Sequence, residues 1–306
     1  MLKTETPARV SSVHFARFAW AVLAYNLPVI LWGAFVRASG SGAGCGNHWP
    51  LCGGQLSPTF ETLAKVIEFL HRATSGFDGI LVVAMVVWAF RAFPSGHPAR
   101  LGATLSLVFV LTEGALGASL VLLEHVAKDQ SAARASWDAG HLINTLTLLA
   151  CIALTAWWGS GKPAVRLHSR AVGVAAASLL AVMLLGVTGV IAALADTLFP
   201  ASSLSAGLAQ DFDPAANLFL RLRGLHPILA AGVGAWLFVF AAGSLRAMAT
   251  RRMALAVIAL VSAQLIAGLL NTLLLAPVGL QMLHLLLADL VWIALVLLCA
   301  SMLAEP

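Results

Sequence analysis

The chain has 306 residues, of which 60% are hydrophobic and only 10% charged, where soluble domains carry roughly 45–50% apolar and about 25% charged residues. With a mean hydropathy of +0.92, this balance excludes a soluble or disordered chain, because a water-facing surface needs far more charge. The 18 Lys and Arg outnumber 13 Asp and Glu for a formal charge of +5, but they sit in small groups between apolar runs, which marks topology signals and argues against nucleic-acid binding.

Spanning about 30 Å of hydrocarbon takes roughly 20 helical residues. Apolar runs of that length occur at 16–36, 64–90, 101–123, 139–158, 171–195, 216–243, 253–275 and 279–303, predicting eight spans. The runs are continuous instead of alternating over about 10 residues, which excludes barrel strands. The predicted fold is an all-α integral membrane protein. The first run follows Lys3, Arg9 and Arg17 and continues past Trp20 to Val36; that is long enough to stay in the bilayer, so no cleavable signal peptide is read here.

Lys3, Arg9 and Arg17, then Arg91 and Arg100, then Lys162, Arg166 and Arg170, then Arg246, Arg251 and Arg252 all fall on one side of such a bundle. The positive-inside rule places both termini in the cytoplasm. The opposite side receives the longer loops at 37–61 and 196–215, whose Gly, Ser and Pro content predicts irregular chain. Such loops are where caps over buried sites are built.

An internal repeat divides the chain near residue 160. Span two carries Glu-Phe-Leu-His71-Arg and span six Arg-Gly-Leu-His226-Pro, while span four carries Asp-Ala-Gly-His141-Leu and span eight Gln-Met-Leu-His284-Leu. Span three reads Glu113-Gly-Ala-Leu-Gly117 and span seven Gln264-Leu-Ile-Ala-Gly268. A duplication follows, with residues 1–160 and 161–306 as two pseudo-symmetric four-helix bundles. Each half has an even number of spans, so the repeat is parallel.

His71, His141, His226 and His284 each begin an outward-to-inward span at similar depth, while His14, His48, His97, His125 and His168 lie in loops or termini. A single intramembrane histidine is explained by an interhelical hydrogen bond. Four at symmetric positions point further, to imidazole pairs holding a haem iron from both sides in the core of each bundle. Zinc, the competing ligand, calls for a third or fourth converging donor.

Arg72 adjoins His71, and Arg221 and Arg223 lie about one turn outward of His226, placed to meet haem propionates or simply to end helices at the headgroups. Glu68 stands three residues before His71, where a carboxyl can reach a ring edge or pair with Arg72 at i+4. Arg223 holds the equivalent place in the second half. Chemistry is therefore expected in the first pocket, where a carboxylate in low dielectric takes a proton or stabilises positive charge, and a redox cofactor in the second. Asp78, Glu113, Asp138 and Asp289 also fall in or beside spans. Asp138 reads as an acid at a helix N-terminus, and the others as interhelical hydrogen-bonding acids or functional groups.

Cys45 and Cys52 enclose six residues of the first outer loop. That spacing is neither a redox Cys-x-x-Cys nor a zinc pattern, and on an oxidising face it favours a disulfide, as a staple or a redox-active pair. Cys151 and Cys299, mid-membrane, read as small apolar core residues.

Together, Gly33-Ala-Phe-Val-Arg37-Ala-Ser-Gly-Ser-Gly-Ala-Gly-Cys45, Trp49-Pro-Leu-Cys52-Gly-Gly, Glu68-Phe-Leu-His71-Arg72, His141-Leu-Ile-Asn-Thr145, His226-Pro227, and His284 with Leu287-Ala-Asp-Leu-Val-Trp292 resemble the haem A synthase family over essentially the whole chain. The resemblance implies an eight-helix bacterial inner-membrane oxidoreductase of two homologous halves. Such an enzyme oxidises a ring methyl of haem O through a hydroxymethyl to a formyl group, giving haem A for terminal oxidases. By position, His71 and His141 would address the substrate haem O, and Glu68 would be the catalytic carboxylate. His226 and His284 would be axial ligands to the iron of one haem b in the C-terminal half, and Cys45 and Cys52 would be the family's outer-loop disulfide. Haem sites toward the outer face, haem O synthase, a quinone or other electron acceptor, and a homo-oligomer are the remaining expectations. Two departures stand out: 196–215 lacks the second cysteine pair of some bacterial members, and His48 stands where an acidic residue is frequent.

The alternative from another class is a di-haem cytochrome b carrying electrons in a quinol-linked chain, which would not need the asymmetry of Glu68 against Arg223. A transporter using histidine proton relays is disfavoured, since no span shows the broken midplane pattern of a substrate site.

Overall fold

The computed structural model describes residues 7–56, 58–166 and 171–304. Lys3, His168 and Arg170 of the sequence argument lie outside these. The described residues form helices joined by loops: α1 (Pro7–Ala38), α2 (Leu63–Ala92), α3 (Pro98–Leu122), α4 (Ala132–Gly159), α5 (Ala171–Leu198), α6 (Leu204–Phe212), α7 (Leu218–Arg223), α8 (Leu225–Gly243), α9 (Met248–Leu273) and α10 (Val278–Leu303). Among the described residues, 8 segments are long and apolar enough to cross a membrane, with α7 and α8 counted as one. Ile80, Leu111, Leu184, Val239 and Ile266 are exposed on the outside of the bundle. That surface suits lipid, in which only internally hydrogen-bonded helices or closed barrels are viable.

Helix starts follow from side chains that satisfy free N–H groups. Thr62 accepts from the Lys65 N–H, Ser131 from Arg134, Ser203 from Ala206 and Asn217 from Phe219. Two expectations change here. Ser131 starts α4 at Ala132, seven residues before the apolar run, so Asp138 lies inside the helix, 3.8 Å from Arg134, and not at its N-terminus. The outer loop at 196–215 is not wholly irregular, because Ser203 caps α6 within it. The sixth span is interrupted at Gly224, three residues before Pro227, which has no N–H to offer the Arg223 carbonyl.

In the first half α1 and α3 each pack against both α2 and α4. In the second, α5 and α9 each pack against both α8 and α10. The histidine-bearing helices thus stand diagonally across each group of four. The halves meet through α1 and α4 against α5 and α10, and α10 and α4 are the most buried spans. Trp292 on α10 donates to the Leu146 carbonyl of α4 at 2.6 Å, in a core that holds Leu149, Ile152 and Val296.

Arg37, in the last turn of α1, ties the halves together. It donates to the Ala193 carbonyl at 2.6 Å, to Thr197 Oγ1 at 2.8 Å and to Gln281 Oε1 at 3.4 Å. Hydrogen bonds to a charged group contribute about 1.5–3 kcal/mol each. Arg37→Ala is therefore expected to lower stability by about 3 kcal/mol, read as a lower midpoint in thermal unfolding of the detergent-solubilised protein. An unchanged midpoint would mean that the strut carries no load.

Candidate functional site

His71, His141 and His284 lie six to nine residues inside their helices, counted from Leu63, Ala132 and Val278, or about 9–14 Å at 1.5 Å per residue, and His226 lies eight residues into a span that starts at Leu218 and is interrupted at Gly224. Each ring is half-buried, and each faces a glycine on a neighbouring helix. A Cβ added at Gly33 would lie 2.8 Å from the His71 ring, at Gly189 3.0 Å from His226, at Gly268 2.9 Å from His284, and at Gly117 3.6 Å from His141. The separations at Gly33 and Gly268 are shorter than side-chain contacts allow and that at Gly189 is tight, so these glycines form the seats of the imidazoles. In the second half the rings of His226 and His284 stand 6.4 Å apart, centre to centre, and perpendicular. In the first, His71 lies within electrostatic reach of His141 and Glu113.

Partners differ from ring to ring. His141 Nδ1 lies 2.9 Å from Glu113 Oε1. Glu113, on α3, also accepts from Asn144 Nδ2 and the Thr145 hydroxyl, and Thr112 donates to Asn144 Oδ1 at 2.6 Å. His226 Nδ1 meets the Thr188 hydroxyl at 3.0 Å, and His284 Nε2 lies 3.3 Å from the Gln264 amide nitrogen. The Nδ1 atoms of His71 and His284 are buried without a hydrogen-bond partner.

Over the first half the loop between α1 and α2 forms a roof. Cys45 and Cys52 are joined in a disulfide, and Gly44 sits so close to the α2 backbone that a Cβ would lie 2.5 Å from Ala64. Glu68, 3% exposed, accepts from the Cys45 N–H at 2.8 Å and pairs with Arg72. Arg72 also donates to the carbonyls of His48 at 2.5 Å and Leu51 at 2.9 Å. The i+4 ion pair weighed for Glu68 is present, and it holds the carboxylate one helical turn above His71.

In the second half Arg223 contacts Asp196 at 3.0 Å and Asp211 at 2.8 Å, so carboxylates reach this rim from α5 and α6. Arg221 is exposed beside it. Cys151 and Cys299 are free and buried, as core residues should be. Asp78 accepts from Asn26 Nδ2 at 2.9 Å, and Asp289, 1% exposed, has a carboxylate oxygen without a partner.

A profile of the COX15-CtaA family, described as cytochrome oxidase assembly protein, matches residues 16–296. The chain belongs to this family. Two Thermus thermophilus proteins named protoheme IX farnesyltransferase are each 49% identical over 293 residues, 94% of this chain but 48% of theirs. The chain thus spans about half the length of these relatives. A protein named haem A synthase from Geobacillus kaustophilus is 41% identical over 105 residues, 34% of this chain and 33% of its own. Another from Symbiobacterium thermophilum is 43% identical over 99 residues, 32% of each.

For a COX15-CtaA protein the donor set fits an iron porphyrin. Two metal–nitrogen bonds of roughly 2 Å and roughly 1 Å from each nitrogen to its ring centre come to about 6 Å, close to the 6.4 Å between His226 and His284. Among the described residues no group of three His, Cys, Asp or Glu is placed to hold a metal ion. Sequence reasoning missed the glycine seats as a set, above all Gly189, because a glycine in an apolar span carries no chemical signal. Gly268→Ala is expected to push the His284 ring from its seat, at about 1–3 kcal/mol of overpacking. The check is haem content per chain after purification, which should fall in the variant while the protein stays folded.

Proposed function

We propose that this chain is a haem A synthase of the bacterial cytoplasmic membrane, oxidising a ring methyl of haem O through a hydroxymethyl to a formyl group. His71 and His141 address the substrate iron in the N-terminal half, residues 1–160. His226 and His284 hold one haem b in the C-terminal half, residues 161–306. The like packing order of the halves, with histidines on diagonal helices, supports reading them as a duplication. Both termini face the cytoplasm and both pockets open toward the outer face, where the basic groups at the opposite end of the bundle direct them.

The observation that carries the reading is the carboxylate of Glu68, buried one turn above His71 at a helix position that Arg223 takes in the second half, where the acids Asp196 and Asp211 are spent on Arg223. Removing electrons from a methyl carbon leaves it electron-poor, and a fixed carboxylate stabilises that charge and takes the proton released. When bound, haem b supplies a one-electron acceptor at the second pocket. The Arg72 guanidinium and the Cys45 N–H hold Glu68 in place, and the disulfide-closed loop shields the pocket from bulk water. Water adds oxygen to the oxidised carbon, so each step removes two electrons and two protons. Arg72 and Arg223 are engaged by protein groups, so propionates would share them, whereas Arg221 is free to turn. The symmetric electron-carrier alternative would not need the asymmetry of Glu68 against Arg223, although a quinone pocket could also use an acid.

Haem O synthase is the natural partner: the Thermus relatives named for haem farnesylation are about twice as long as this chain and contain a region like it. A quinone or similar acceptor drains the electrons, and a homo-oligomer is compatible with the exposed apolar surface. The test is production of the chain beside a haem O-forming enzyme in cells that make no haem A. Extracted haem should then contain haem A or its hydroxymethyl precursor; haem O left unchanged would refute the proposal.

A further inference from the structure

We propose that Glu113 is a positioning residue that backs His141 with a negative charge and so sets the iron of the first pocket at a lower potential than that of the second. The inference rests on the two-haem reading above. Among the described residues, His141 alone of the four rings has an ionic partner, the Glu113 carboxylate 2.9 Å from Nδ1. His226 meets a hydroxyl and His284 an amide, and the Nδ1 of His71 meets nothing. Glu113 and Gln264 hold corresponding places, each four residues before the glycine that faces the histidine of the next span. The matched position thus carries a charge in the first pocket, against Nδ1 of its histidine, and a neutral amide in the second, against Nε2.

The carboxylate is itself fixed. Asn144 and Thr145, three and four residues after His141, both donate to it, and Thr112 holds the Asn144 amide from α3. With Nδ1–H directed at Glu113, Nε2 is the nitrogen left for the iron. A carboxylate behind a ligating imidazole fixes its tautomer and orientation and raises its basicity. It also favours the ferric over the ferrous charge by Coulomb attraction. Electrons released in the first pocket then run downhill to the second.

The experiment is a redox titration, followed by absorbance, of purified holoprotein loaded with both haems, comparing wild type, Glu113→Gln and Glu113→Asp. Wild type should titrate in two steps. In Glu113→Gln the lower step should move up toward the other, which stays in place, and Glu113→Asp should remain near wild type. If Glu113→Gln sheds the first-pocket haem while Glu113→Asp keeps it at the wild-type potential, the charge is again what matters. Unmoved steps in Glu113→Gln overturn the proposal, as does loss of that haem from both variants, which would assign Glu113 a packing role. A wild type that binds no haem overturns the functional reading itself, and this inference with it.

Discussion

Glu68→Gln should reduce conversion of haem O by about 100-fold or more, the scale on which positioned acid–base groups and charge-stabilising groups act, with both pockets still holding haem. The substitution keeps an acceptor for the Cys45 N–H but removes the charge that pairs with Arg72. Breaking a buried pair by removing one partner is itself destabilising, by about 3–5 kcal/mol, so the activity loss has to be read against haem content. Conversion measured in membranes, normalised to bound haem, separates the two effects. If normalised conversion stays at the wild-type rate, Glu68 is a structural clasp for the roof and the chemistry lies elsewhere.

The second large effect is expected at His284. His284→Ala removes one of two facing rings 6.4 Å apart, and a haem that the two would hold would lose one of its two protein donors. Bound haem should fall to about half of the wild-type content. Conversion should cease, because the electrons leaving the first pocket have no acceptor. Haem O should nonetheless still bind, since His71 and His141 lie in the other half. Quantified haem per chain and the absorbance spectrum of the reduced protein report both results. Full haem content with wild-type spectra would remove His284 from the ligand set.

What could be read from sequence divides along physical lines. The eight spans were legible because the bilayer demands about 20 apolar residues per crossing, and no packing detail alters that demand. Boundaries were less so: the stretch from Ala132 to Asp138 carries Arg134, Ser136 and Asp138 yet is helical, started by Ser131 and prolonged by the Arg134–Asp138 pair. Likewise α6 is short, rich in Ser and Gly at its start, and carries no span-length signal. The four histidines stood out because a polar ring in an apolar run needs a reason. Their seats did not, since Gly33, Gly117, Gly189 and Gly268 matter only through the helix that faces them.

Carboxylates show the same divide. Glu68 and Arg72 are four apart, so their pairing follows from helical spacing. The link from Glu113 to His141 crosses from α3 to α4, and the clasp of Asp196 and Asp211 on Arg223 joins three elements. No local period encodes such contacts. The rim of the second pocket looked purely basic in sequence for that reason, although the folded chain brings two acids onto it.

The most direct test of the account is extraction and chromatography of the haem held by the purified wild-type protein, from cells that also make haem O. Two unlike haems are predicted, one haem b per chain together with haem O or its oxidised products. Two haem b groups per chain and no farnesylated haem would contradict it, and would mark the protein as a symmetric electron carrier.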